Sequence, residues 1–192
     1  MAFTQDITGA AKALLSGGLV AFPTETVYGL GADASNDLAV AKVYAAKGRP
    51  AFNPLITHVP DVQSAFNLGV FPEAARKLAE AFWPGPLTLV LKGGEGRLPD
   101  RLRGAEGGIA VRFTSHRGIR KLVEACNVPL TSTSANRPGG QPAPGAAGID
   151  SLFAEAVRSG DLLVLDGGVL GNVPPSTLVD CTEPVPRLVR EG

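Results

Sequence analysis

The sequence predicts a layered α/β domain, on three observations. Short apolar runs of strand length alternate with segments of helical period along most of the chain. The 192 residues, 44% hydrophobic and 19% charged, suffice for one sizeable core and are too apolar for a disordered tail or a fibrous repeat. No internal repeat and no linker divides the chain, so residues 1–192 are expected to form a single domain.

Taken in order, Ile7, Ala10, Ala11, Leu14 and Leu15 share one helical face in a segment running to Ser16, and Gly17-Gly18 supplies its stop. Leu19-Val20-Ala21-Phe22 reads as a buried strand ended by Pro23, with a glycine-bearing loop through Gly31 after it. Asp37 is the expected N-cap of a helix reaching about Ala46, closed by Gly48 and Pro50. A strand over residues 55–59, helical pattern over 61–68 and 72–82, and a strand over 87–91 continue the alternation. Strands over 109–113 and 129–133 flank a helix over 115–125. Arg137-Pro-Gly-Gly-Gln-Pro-Ala-Pro-Gly is loop by composition. A helix over 149–158 and strands over 162–165, 177–179 and 186–189 complete the pattern.

Net charge is zero, but seven basic residues fall between 97 and 121 against Asp100 and Glu106. Such a stretch suits a local anion site, or simply a solvated surface with snorkelling arginines, without general affinity for nucleic acid. Cys126 and Cys181 stand far apart with no clustered histidines, which suggests two small buried hydrophobes and neither a disulfide framework nor a zinc site. The first residues lack the basic start and apolar stretch of a signal peptide, and no run approaches about 18 apolar residues. The expected setting is cytoplasmic, with no membrane association.

Several chemistries lack their residues. Gly29-Leu-Gly31-Ala-Asp-Ala34 matches a dinucleotide fingerprint, yet Lys47 stands about 20 residues on, where an acidic ribose ligand belongs. There is no Gly-Lys dipeptide for a phosphate-binding loop and no Gly-x-Ser-x-Gly, and His58 and His116 are the only histidines.

Three polar segments remain, each with a plain structural alternative. Pro23-Thr24-Glu25-Thr26 leaves a strand, where its hydroxyls and carboxylate can hold an amino acid's polar groups or merely satisfy local backbone. Lys47-Gly48-Arg49 closes a helix, where cations balance the dipole. The pair also suits a triphosphate, Lys as a compact charge and Arg as a planar fork, and both side chains are expected to be loop-exposed. Asn53 and His58, flanking the next strand start, add an amide and an imidazole. Thr131-Ser-Thr-Ser134-Ala-Asn136 packs hydroxyls and an amide at a strand end, neutral groups fit for phosphate oxygens or hydrated magnesium, or for an ordinary turn.

In this order, the segments resemble the YrdC-type family of threonylcarbamoyl-AMP synthases. The likeness runs from Gly18-Leu-Val-Ala-Phe-Pro-Thr-Glu-Thr-Val-Tyr-Gly-Leu30 through Lys47-Gly-Arg-Pro50 and Asn53-Pro-Leu-Ile56. It continues through Phe82-Trp-Pro-Gly-Pro-Leu-Thr88, Ala110-Val-Arg112, Ser134-Ala-Asn136 and Ser176-Thr-Leu-Val-Asp180. The resemblance implies a single-domain YrdC-like fold, a twisted mixed parallel/antiparallel sheet flanked by helices around a basic cavity.

It also implies ATP, L-threonine and bicarbonate as substrates, Mg2+ accompanying ATP, and threonylcarbamoyl-AMP and pyrophosphate as products. By position, Thr24, His58, Arg112, Ser132 and Ser176 would contact threonine. Arg49, Asn53, Ser134 and Arg190 would contact ATP, and Lys47, Arg49, Ser134 and Asn136 would form the catalytic set; no side chain is assigned to metal. The tRNA threonylcarbamoyl-transfer machinery would receive the product. Two other readings accompany this one: weak RNA binding by the basic cavity, and a carbamoyl-transfer domain of the kind fused into larger maturation enzymes.

Overall fold

The computed structural model describes residues 3–48, 55–104, 107–171 and 173–192. In chain order these form β1 (Phe3–Thr4), α1 (Ile7–Leu15), β2 (Leu19–Pro23), β3 (Tyr28–Asp33), α2 (Asp37–Lys47) and β4 (Ile56–His58). Next come α3 (Val62–Leu68), α4 (Glu73–Phe82), β5 (Leu87–Lys92), β6 (Gly108–Arg112), α5 (Arg117–Cys126) and β7 (Leu130–Ser134). The chain closes with α6 (Ala146–Leu152), α7 (Ala154–Ser159), β8 (Leu162–Leu165), β9 (Thr177–Asp180) and β10 (Arg187–Arg190). No helix among the described residues is long and apolar enough to cross a membrane.

All ten strands join one mixed sheet in the order β1-β8-β2-β3-β7-β4-β6-β5-β9-β10. The pairs β8/β2, β4/β6 and β5/β9 are parallel, whereas β2/β3, β3/β7, β7/β4 and β6/β5 are antiparallel. Helices cover both faces, which is why β2 is one continuous apolar run. Alternate residues of that run serve opposite sides. Val20 and Phe22 pack with Leu14 of α1 and Ile119, Leu122 and Cys126 of α5. Leu19 and Ala21 join Val40 and Val43 of α2 and Ile149 of α6. Cys126 and Cys181 are buried and unbridged, and burial pushes the Cys126 thiol up to about 11.

Three expectations need correction. The residues taken as a loop through Gly31 include β3, six residues buried throughout in the middle of the sheet. Glycine is a poor strand former, but here each missing side chain makes room. A Cβ on Gly31 would lie 2.5 Å from the Thr131 carbonyl and 2.6 Å from the Phe22 ring, and one on Gly29 would lie 3.1 Å from Ser132 Oγ. The Gly29-x-Gly31 pattern is therefore a packing feature within a strand rather than the turn that opens a helix. The helix expected over 149–158 is two, α6 and α7, separated at Phe153. Finally, the N-cap of α2 is Asn36, whose side chain accepts from the Ala39 N–H, one residue before Asp37.

Candidate functional site

A cavity of about 860 Å³ opens over the sheet face shared by β7, β4, β6, β5 and β9. Its floor follows the strand register: Ser132 pairs with Ile56, Ile56 with Ala110 and Ala110 with Val90. Paired residues point to one side of a sheet, so these small and apolar side chains form a shallow path between polar walls. Thr24, His58, Arg112, Ser132, Ser134, Asn136, Ser176 and Arg190 all line it. Among the described residues, Arg112 and Arg190 are the charged members of the lining, so the cavity is basic.

Arg112 and His58 end the neighbouring parallel strands β6 and β4, and they pair in register. His58 is sealed in the sheet, with Nε2 at 2.9 Å from Ser132 Oγ and Nδ1 lacking a hydrogen-bond partner among the described residues. Burial, helped by the nearby Arg112 charge, lowers its pKa to about 3. His58 is therefore a neutral imidazole at physiological pH. The Arg112 side chain is only 3% exposed; its Nε donates to the Gly85 carbonyl at 3.3 Å.

Glu25 supplies the counter-charge. Its Oε1 stands 2.9 Å from Arg112 Nη2, an ion pair that lacks the angle of a hydrogen bond. Burial by itself would raise the Glu25 carboxyl, but the Arg112 charge and hydrogen bonds from Thr114 and Ser115 outweigh it and hold the pKa at about 2. The same burial lowers the pKa of Arg112, opposed by Glu25.

Between β2 and β3 the chain turns on the hydroxyl of Thr24. That hydroxyl donates to the Val27 carbonyl at 2.7 Å and accepts from the N–H groups of Thr26 and Val27, each at 3.2 Å. Local backbone satisfaction, the plain alternative for this segment, thus operates here, while Thr24 still borders the cavity.

Lys47 departs from expectation. It is the last residue of α2, before Gly48 in the left-handed conformation at φ 60°, and it is 5% exposed rather than loop-exposed. Its ammonium donates to Ser134 O at 2.8 Å, Asn136 O at 2.5 Å and Asn136 Oδ1 at 2.7 Å. The same Oδ1 accepts from Ser134 Oγ at 2.6 Å, and Asn136 Nδ2 donates to the carbonyls of Arg137 and Gly140. Lys47 thus holds the segment after β7 from behind. Ser134 and Asn136 line the cavity, and Lys47 stands behind them. Arg137 turns away, with Nε on the Leu152 carbonyl and its guanidinium 5.2 Å from the Phe153 ring centroid.

At the far wall, Arg190 Nε and Nη2 donate to the Ser176 carbonyl at 3.1 and 2.8 Å, and Ser176 Oγ meets Thr88 Oγ1 at 2.9 Å. One residue assigned to threonine and one assigned to ATP are therefore in contact. Arg49 and Asn53 lie outside the described residues.

The Sua5_yciO_yrdC family model, described as "Telomere recombination", matches residues 12–192. The chain belongs to this family. It is 40% identical over 187 residues to a threonylcarbamoyl-AMP synthase of Bacillus subtilis, covering 97% of this chain and 53% of that protein. A threonylcarbamoyl-AMP synthase of Marinobacter nauticus is 36% identical over 172 residues, 89% of this chain and 88% of its own length. Among solved structures, Pyrococcus abyssi Sua5 complexed with L-threonine superposes with a TM-score of 0.88 at 40% identity, covering 96% of this chain and 53% of that one. The chain thus spans about half the length of some of the family relatives it matches.

The sequence reading offered the Glu25 carboxylate to an amino acid or to local backbone; the structure gives it instead to Arg112, Thr114 and Ser115. Glu25 sits within a segment that carries the family likeness, but its partners lie about 90 residues away, and no local pattern joins them. The usable signal was chemical: a carboxylate on a loop between two buried strands needs a cation.

Proposed function

We propose that this chain condenses L-threonine, bicarbonate and ATP into threonylcarbamoyl-AMP and pyrophosphate. The observation that carries the reading is convergence: residues assigned separately to an amino acid and to a nucleotide line one basic cavity and touch at Ser176 and Arg190. The family's named synthases and the threonine-bound relative support it.

In this reading Thr24, His58, Arg112, Ser132 and Ser176 hold threonine, with Arg112 on its carboxylate. A neutral His58 is suited to share a hydrogen bond with the substrate without repelling an amine. Ser134 and Arg190 hold ATP together with Arg49 and Asn53. The threonine amine adds to the carbon of bicarbonate with loss of water, and the resulting carbamate oxygen attacks the α-phosphorus. The bond from that phosphorus to the bridging oxygen breaks, and pyrophosphate leaves. No enzyme nucleophile is consumed, so the protein's work is positioning and charge neutralisation.

Lys47 acts in this scheme by holding Ser134 and Asn136 in place, and Arg49 would neutralise phosphate charge. Magnesium fits as an ion carried by ATP. The described lining offers hydroxyl, amide and carbonyl oxygens and no carboxylate, a donor set suited to a hydrated ion on phosphate rather than a protein cage. The product would pass to a tRNA threonylcarbamoyl-transfer machinery in the cytoplasm.

Pyrophosphate release from ATP and magnesium, measured with and without L-threonine and bicarbonate, tests the proposal. Release is expected to require both; release indifferent to either would overturn the reading.

A further inference from the structure

Glu25, the anionic half of the ion pair at the amino-acid end, has no task in the reaction as written above. Glu25 is not part of the cavity lining. Its Oε2 accepts from the Thr114 hydroxyl, and its Oε1 accepts from the Ser115 N–H at 3.0 Å and from Ser115 Oγ at 3.3 Å. These donors follow Arg112 by two and three residues, so the carboxylate ties the β2–β3 turn to the segment leaving β6. Held there by several donors, it is a fixed anion rather than a mobile one. It stands 2.9 Å from Arg112 Nη2, and the Gly85 carbonyl takes Nε. The guanidinium is thereby pinned on two sides while remaining part of the cavity wall.

A guanidinium with no counter-charge, in a cavity that also handles a triphosphate, would attract any phosphate oxygen. A fixed carboxylate at ion-pair distance changes that. It cancels most of the long-range charge, leaving the directional N–H groups to discriminate.

We propose that Glu25 is a positioning and specificity residue: its carboxylate orients Arg112 and offsets its charge, so that the guanidinium takes one oriented carboxylate and refuses polyanions in the same cavity. The inference rests on the reading of the cavity as a threonine and ATP site. Glu25→Gln keeps the shape and an acceptor oxygen while removing the charge.

The test is calorimetric titration of the whole chain with L-threonine, repeated in the presence of pyrophosphate. In the wild type, pyrophosphate is expected not to compete with threonine. In Glu25→Gln, threonine affinity should fall about tenfold and pyrophosphate should become competitive, a change that mere loosening of the fold does not produce. Thr114→Val loosens the carboxylate but keeps its charge, so it should weaken threonine about threefold without pyrophosphate competition. Wild-type threonine affinity with no pyrophosphate competition in Glu25→Gln overturns the inference alone. Should that variant not fold, unchanged threonine affinity in Thr114→Val overturns it, and weakened affinity supports it. Failure of the wild type to bind threonine overturns the underlying reading, and the inference with it.

Discussion

The two ends of the cavity are built differently. At the end proposed to hold the amino acid, His58, Arg112 and Ser132 sit on three neighbouring sheet strands, and their spacing is set by strand register. At the end proposed to hold the phosphates, Ser134 finishes β7 and Asn136 follows in a loop, and a single buried ammonium reaching across from the end of α2 bonds both, beside the loop's own hydrogen bonds. A sheet holds its groups through many shared backbone bonds, so one side chain can be lost without the frame moving. A loop gathered around one lysine has less reserve. The first end should therefore lose ligand contacts one at a time, and the second should fail as a unit.

The largest effect should come from Lys47→Met, which keeps the apolar stem and removes the charge. Three oxygens lose the ammonium in a buried place, two of them keeping a second donor, at a cost of about 2–4 kcal/mol in stability. Thermal unfolding should show that loss alongside the fall in threonine-dependent pyrophosphate release. This reverses the expectation for an exposed lysine, whose removal would lower the rate and spare the fold. Loss of activity with an unchanged melting temperature would mean that Lys47 works on substrate directly.

A smaller and more selective effect is expected from Arg112→Lys. A lysine retains a charge beside Glu25 but not the planar fork, so threonine should bind about 30–100-fold more weakly, roughly 2–3 kcal/mol. ATP affinity should be nearly unchanged, and the melting temperature should fall far less than in Lys47→Met. Equal losses for both ligands would erase the distinction between the two ends.

Lys47 and Glu25 also mark where sequence and structure part. Most strands and helices were legible because burial on one or both faces imposes a period on apolar residues. β3 was not, because Gly29 and Gly31 are chosen for the space that Phe22 and Ser132 need, a demand made by other strands. The two-residue β1 is too short to leave a pattern. At the site, the motif segments pointed to one cavity, yet the burial of Lys47 ran against the usual behaviour of lysine. Its acceptors lie 87 and 89 residues away, and Glu25 meets Thr114 across 89. Such pairings are properties of topology, invisible in any local window.

The sheet-held end carries one more testable consequence, in its response to acid. His58 and Glu25 both have depressed pKa values in the folded chain, about 3 and about 2, so the unfolded chain binds their protons more readily. Their contribution to stability is complete above the unfolded values and is lost as pH falls: from about 6.5 toward 3 for His58, and from about 4.5 toward 2 for Glu25. Between pH 6 and 5 the carboxylate term is nearly flat, which isolates the histidines. His116 is also lowered by burial and acts in the same interval, so the difference between variants is the quantity to read. His58→Gln, which fills the same space without titrating, should flatten the decline of unfolding free energy by up to about 1.4 kcal/mol per pH unit, one proton's worth. Denaturant unfolding at half-unit steps of pH measures it. An unchanged slope would mean that His58 takes up its proton while folded. That requires room and water beside Nδ1, and the amino-acid end would then be as adjustable as the loop-built end opposite it.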